Sequence, residues 1–179
     1  PLYMYVDQNA KLRTYMSFTG STWNVTGGFT SAVLSTNTWY HIELTRTSDG
    51  QILLFLNGNI YYSITDFGTS HTLLTSDGTT VNIGSGVSST YMKGYISDMK
   101  FNLGNSLHTT SFTPPPSPPT PARYTKLLLH MDGVGNAFYD SSDPPGDNGF
   151  PILPDGVTIT PTGTFAVEKM KDGRNIWKF

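Results

Sequence analysis

The sequence predicts an all-β fold, and three observations predict it. Apolar and polar residues alternate through residues 2–6, 11–18 and 39–46, the period-two signature of half-buried strands. Asn57-Gly58, the dipeptide that most readily takes the positive backbone angles of a type I′ hairpin, separates two strand-like runs. Helical signal is nearly absent: β-branched and aromatic residues are plentiful, and no window carries apolar residues at three-and-four spacing for three turns. One short helical turn is the most that is expected.

The opening hairpin sets Leu2, Met4 and Val6 against Tyr3 and Tyr5. Its second arm, residues 11–18, sets Leu12, Thr14, Met16 and Phe18 against polar partners, with Asp7-Gln8-Asn9 as the turn. Short strands are expected at 23–26 and 31–34. In 39–46, Tyr40, Ile42 and Leu44 face the core, and His41, Glu43 and Thr45 face solvent. Thr47-Ser48-Asp49-Gly50 reads as a turn, 51–56 as a continuously apolar strand, and 59–63 as its hairpin partner. Leu73-Leu74 and 81–84 are short strand candidates. Residues 94–101 read as one longer strand in a sheet interior, ended by Gly104-Asn105. Prolines 114, 115, 116, 118, 119 and 121 impose an extended strap that cannot donate to a sheet ladder. Beyond it, 126–133 is a strongly apolar strand, and 157–160, 165–167 and 175–179 are short ones. The division expected is 1–113, a proline-rich linker or strap at 114–125, and 126–179.

Composition narrows the function classes. A chain of 179 residues can bury a substantial core. With 13% charged residues and a net charge of −2, no basic face is available to neutralise phosphates, so nucleic-acid binding is not expected. No apolar run reaches the length of a membrane span. The absence of cysteine removes disulfides and thiolate chemistry. Because residue 1 is Pro rather than Met, the chain reads as processed or as a piece of something longer.

At this point the residues carry a resemblance. Trp39-Tyr40-His41-Ile42-Glu43-Leu44-Thr45-Arg46, then Leu53-Leu54-Phe55-Leu56-Asn57-Gly58, then Ile83-Gly84, then Lys93 through Phe101, match in order and spacing. They resemble the second half of a laminin-G-like domain of the concanavalin A-like lectin/glucanase superfamily. Ser111-Phe112-Thr113-Pro114-Pro115 is similar to the exit segment of bacterial and phage versions. The implied fold is a jelly-roll β-sandwich of two antiparallel sheets. Leu127-Leu128-Leu129-His130-Met131-Asp132-Gly133, with Phe138, Asp140-Ser141-Ser142 and Ile176-Trp177-Lys178-Phe179, is similar to the front of such a domain, yet lies after its end. Three explanations stay open: a circular permutant, a piece of a tandem array carrying the front of the next repeat, or strands donated to a neighbouring subunit.

Catalytic signals are weak. No Gly-x-Ser-x-Gly elbow occurs, and glycoside hydrolysis needs two facing carboxylates. Glu43 stands alone on the polar side of its strand, and Glu168, flanked by Lys169 and Lys171, reads as surface. None of His41, His71, His108 and His130 pairs with another at metal-ligand spacing. The resemblance implies that first and last strands lie side by side, which makes Asp98 and Asp132 weak candidates for a structural calcium beside their plain turn or edge roles. Asp140, Asp143 and Asp147 share a loop that suits an ion or ordinary turns.

Sugar binding needs exposed aromatic rings beside amides. Trp23 with Asn24, Tyr61 with Tyr62, and Tyr91 with Asn82 are the candidates. The alternatives are that Trp23 is a core plug and that the tyrosines simply cover a sheet face. Asn24-Val25-Thr26 is also a glycosylation sequon. The expected function is a non-catalytic structural or adhesive module of an extracellular, cell-surface or virion appendage. Its partners would be glycans, copies of itself or adjoining repeats. The alternatives are a polysaccharide-acting glycoside hydrolase of the same superfamily, or a subunit polymerising into filaments by strand complementation.

Overall fold

The computed structural model describes residues 2–17, 19, 22–25, 29–65, 82–84, 91–131, 141, 166–169 and 175–178. They form β-strands and connecting segments, with no helix among the described residues, and every strand pairing is antiparallel. The chain divides into two units, Pro1–Gly78 with Asn105–Pro114, and Thr79–Gly104 with Pro115–Phe179.

In the first unit, β1 (Leu2–Val6), β2 (Lys11–Met16) and β3 (Phe29–Val33) form one sheet in that order. Asp7 closes the β1–β2 turn because its Oδ1 accepts the backbone N–H groups of Asn9 and Lys11. Leu12, Thr14 and Met16 are buried, and Arg13 and Tyr15 alternate to the other face, as the period requires. The second sheet is β4 (Ile42–Arg46), β5 (Ile52–Leu56) and β6 (Asn59–Ile64). Leu12 and Met16 meet Ile52 and Leu54 across one core, joined by Met4, Leu44 and Ile64.

The β5–β6 turn forms as its residues dictate: Asn57 and Gly58 take φ of 51° and 76°, and Leu56 faces Asn59 across a two-residue loop. Of the expected strand 23–26, the described residues 23–25 are instead a loop laid on the sheet, and residue 26 lies outside the described residues. The Val25 N–H bonds the Met16 carbonyl at 3.2 Å, and the Val25 side chain reaches the core.

Strand β4 departs from its expected facing. Thr45 is buried, Ile42 is exposed, and Glu43 is not a solvent-side carboxylate, its side chain being only 15% exposed. The cause is distant in sequence. Residues 105–114 return to the first unit and cover the polar side of β4 with His108 and Phe112, so the sheet is packed on both faces. Strand β5 is accordingly buried at Ile52, Leu53, Leu54 and Phe55, the pattern its unbroken apolar run predicts.

In the second unit, the expected strand 94–101 is broken in two: β7 (Tyr95–Ile96) and β8 (Met99–Asn102). Asp98 takes φ of 52°, a left-handed conformation that Asp tolerates better than most side chains, and so ends one ladder before the next begins. Strand β8 pairs with β9 (Thr125–Leu129), Met99 facing Leu129. β10 (Ala166–Lys169) and β11 (Asn175–Lys178) form a hairpin, and β11 pairs with β7 through Trp177 and Ile96. Strands from beyond the prolines therefore pair with earlier strands of the same chain. Leu129 and Met131 form the core here, with Ile83, Ile96, Met99 and Leu127. Prolines 114–121 carry no strand, and Lys100 Nζ donates to the Thr120 carbonyl at 2.7 Å. The expected strands at 73–74 and 157–160 lie outside the described residues.

Candidate functional site

Four aromatic rings gather on the side of β1 and β2 that faces away from the core. Tyr3 and Tyr5 alternate with the core-packed Met4, and Tyr15 alternates with the buried Thr14 and Met16. The register sets Tyr3 opposite Tyr15 and Tyr5 opposite Arg13. Trp23 comes from the loop after β2. Tyr3 and Tyr5 stack with centroids 4.9 Å apart, Tyr5 and Tyr15 at 6.0 Å, and Tyr3 and Trp23 at 6.4 Å; Trp23 meets Tyr15 at 5.7 Å with a 58° tilt. Trp23 is 46% exposed, so it is not a core plug. Exposed Asn24 follows it, its N–H bonded to the Thr22 carbonyl.

Polar chemistry borders the rings. Arg13 Nε donates to Asp7 Oδ2 at 2.8 Å. The Asp7 carboxyl is held below its ordinary range, first by the Lys11 backbone N–H and then by Arg13. The Tyr5 phenol is pushed up, first by its hydrogen bond with Tyr15 and then by burial. Such a patch offers apolar rings, phenolic hydroxyls and a paired cation in one place.

A second cluster lies under the returning segment. His108 Nδ1–H donates to Glu43 Oε2 at 2.8 Å, and Thr45 Oγ1 donates to Glu43 Oε1 at 2.8 Å. The His108 ring lies flat on Phe112 at 3.5 Å, and Phe112 is edge-on to His41 and Phe55. Both oxygens of Glu43 are thus engaged within a covered face, the arrangement of a structural tie. Burial pushes the His41 imidazole below its ordinary value of 6.5; Glu43 opposes that shift and His108 adds to it. The folded state therefore binds fewer protons at His41 than the unfolded chain. Its contribution is intact above about pH 6.5 and is lost as pH falls through the lower folded value. Urea midpoints taken from neutral to mildly acidic pH should fall, and His41→Gln should flatten that fall. An unchanged slope in His41→Gln would contradict this.

The other expected site residues are spread. Tyr61 and Tyr62 are exposed on β6, where Tyr61 is the extra residue of a β-bulge opposite the Leu54–Phe55 step. Asn82 and Tyr91 lie in the second unit, both exposed, on either side of a Met92 N–H to Gly84 carbonyl bond of 2.8 Å. Asp98 accepts Ser97 Oγ–H at 2.9 Å and His130 Nδ1–H at 3.0 Å, which ties the β7–β8 corner to the end of β9. Asp132, Asp140, Asp143, Asp147 and His71 lie outside the described residues, and among the described residues no group of three acidic, His or Cys side chains could hold a metal.

The sequence reading named Trp23 but missed Tyr3, Tyr5 and Tyr15. Their signal was present in the alternation of the first hairpin, where all three fall on the side away from Met4, Leu12 and Met16. The Glu43–His108 tie spans 65 residues and left no local signal.

The described residues are all-β with antiparallel sheets, and in the first unit two sheets share a core while the outward side of one carries clustered rings, the build of a jelly-roll sandwich. The laminin G model of the concanavalin A-like lectin/glucanases superfamily matches residues 1–102, and the chain belongs to that superfamily, whose members bind carbohydrates or partners. The match starts at residue 1, so the first hairpin and its rings fall within the family region. No curated protein and no solved structure matches the chain.

Proposed function

We propose that this chain is a non-catalytic glycan-binding module, a structural and adhesive part of an extracellular, cell-surface or virion appendage, and that it engages glycans through Trp23 and the tyrosines of β1 and β2. The observation that carries this reading is the exposed Trp23 held by Tyr3 and Tyr15 beside the Arg13–Asp7 pair. Sugars present an apolar ring face and a girdle of hydroxyls, and this patch supplies a counterpart to each. A binding role is favoured over hydrolysis by the state of Glu43. Its oxygens are occupied by Thr45 and His108 under Phe112, where a substrate would have to displace packed side chains.

A self-contained module is favoured over a strand-lending one, because β9 and β11 already pair with β8 and β7 of the same chain. Light scattering over a wide concentration range should accordingly give a constant monomer mass. Growth into chains would contradict this part of the proposal.

The test of the binding reading is a calorimetric titration with glycans. Trp23→Ala should weaken binding about tenfold, roughly 1.4 kcal/mol. Tyr124→Ala, an exposed tyrosine in the other unit, should leave it unchanged.

A further inference from the structure

The ring geometry also bears on which glycans fit, an argument that rests on the glycan-binding reading above. A site for a flat polysaccharide surface needs several aromatic faces open side by side. These four rings do not offer that. Tyr3 stacks on Tyr5 and on Trp23, each pair 27° from parallel, and Tyr5 lies within 9° of parallel to Tyr15. Tyr3, Tyr5 and Tyr15 are each half-buried, so none presents an open platform comparable to Trp23. Trp23 alone among the four is exposed, at 46%, and it ends the row of rings, stacked on Tyr3 and tilted 58° from Tyr15.

We infer that the site takes a single sugar ring, stacked on Trp23, so that its ligand is an uncharged glycan terminus or short oligosaccharide rather than a long or crystalline polysaccharide. The stacked tyrosines hold Trp23 in place before the ligand arrives, which lowers the entropy lost on binding. Their hydroxyls and the neighbouring Asn24 address the sugar's rim. The preference for uncharged sugars follows from the charge balance: Arg13, one of the two cations that β2 turns to this face with Lys11, is already paired with Asp7 at 2.8 Å, and the whole chain carries a net charge of −2. An acidic sugar would have to break that pair or meet a negative molecule.

The experiment uses the full chain and calorimetric titration with mono-, di-, tetra- and hexasaccharides of glucose, galactose, mannose and N-acetylglucosamine. Sedimentation with insoluble cellulose and chitin, and titration with sialyllactose at low and high salt, complete it. The expected result is affinity for at least one neutral sugar that changes less than about twofold beyond the disaccharide, since no second open ring face adds contacts. Trp23→Ala should lower it about tenfold, and neither insoluble polymer should carry the protein down. A rise of about tenfold or more from di- to hexasaccharide or co-sedimentation would overturn the single-ring assignment, and a salt-sensitive preference for sialyllactose would overturn the uncharged ligand, each while leaving glycan binding intact. Failure of the folded protein to bind any member of the set would overturn the glycan-binding reading and this inference with it.

Discussion

Replacing Gly58 with alanine is expected to destabilise the first unit by about 3 kcal/mol, from two costs that act together. Gly58 has φ of 76°, which an L-side chain occupies only under strain, and an added Cβ would sit 1.9 Å from the Phe112 carbonyl oxygen. The same backbone is held from the other side, because the Phe112 N–H donates to the Gly58 carbonyl at 2.9 Å. No rotation can relieve the clash without pulling residues 105–114 off the sheet. Urea unfolding should show a large fall in midpoint with a similar slope. A loss below about 1 kcal/mol would mean that the segment is not seated as described.

Phe55→Ala should cost about 3–5 kcal/mol, the range for removing a buried aromatic ring. Phe55 is 0% exposed, on the side of β5 opposite the shared core, with Phe112 edge-on at 5.4 Å. The cavity would be closed over by the returning segment and hard to collapse. Phe55→Leu keeps most of the volume and should cost under about 1.5 kcal/mol. Equal losses in the two variants would show that the ring is not packed between two layers.

Both predictions concern the part of the molecule that was half legible in the sequence. The hairpin at Asn57-Gly58 could be read because its information is local: two residues that accept positive φ between two strand-like runs. The burial of β5 was legible in its unbroken apolar run. What covers it was not, since nothing near residues 41–45 announces that His108 and Phe112 will arrive from more than sixty residues away to bury Glu43. Residues 94–101 looked continuous because alternation persists through Asp98, and only its left-handed φ reveals the break. The strands beyond the prolines were recognised as belonging to a sandwich, whereas their pairing with β7 and β8 depends on long-range register that no local pattern encodes.

The candidate site divides in the same way. Trp23 could be singled out by residue type, but its meaning depends on Tyr3, Tyr5 and Tyr15, which are brought beside it by the β1–β2 register and a loop that anchors Val25 in the core. Tyr61 and Tyr62 had an equally good residue type and lie on a bulged strand of the other sheet. A pair of aromatics in sequence is thus a weaker signal than aromatics falling on one face of neighbouring strands.

The central claim, that this is a glycan-binding module acting through Trp23, is tested most directly by glycan-array binding of the wild-type chain and of Trp23→Ala shown by circular dichroism to be folded. The account expects a defined subset of neutral glycans bound by the wild type and lost from Trp23→Ala. Flat binding across the array, or an identical pattern from the two proteins, would contradict it.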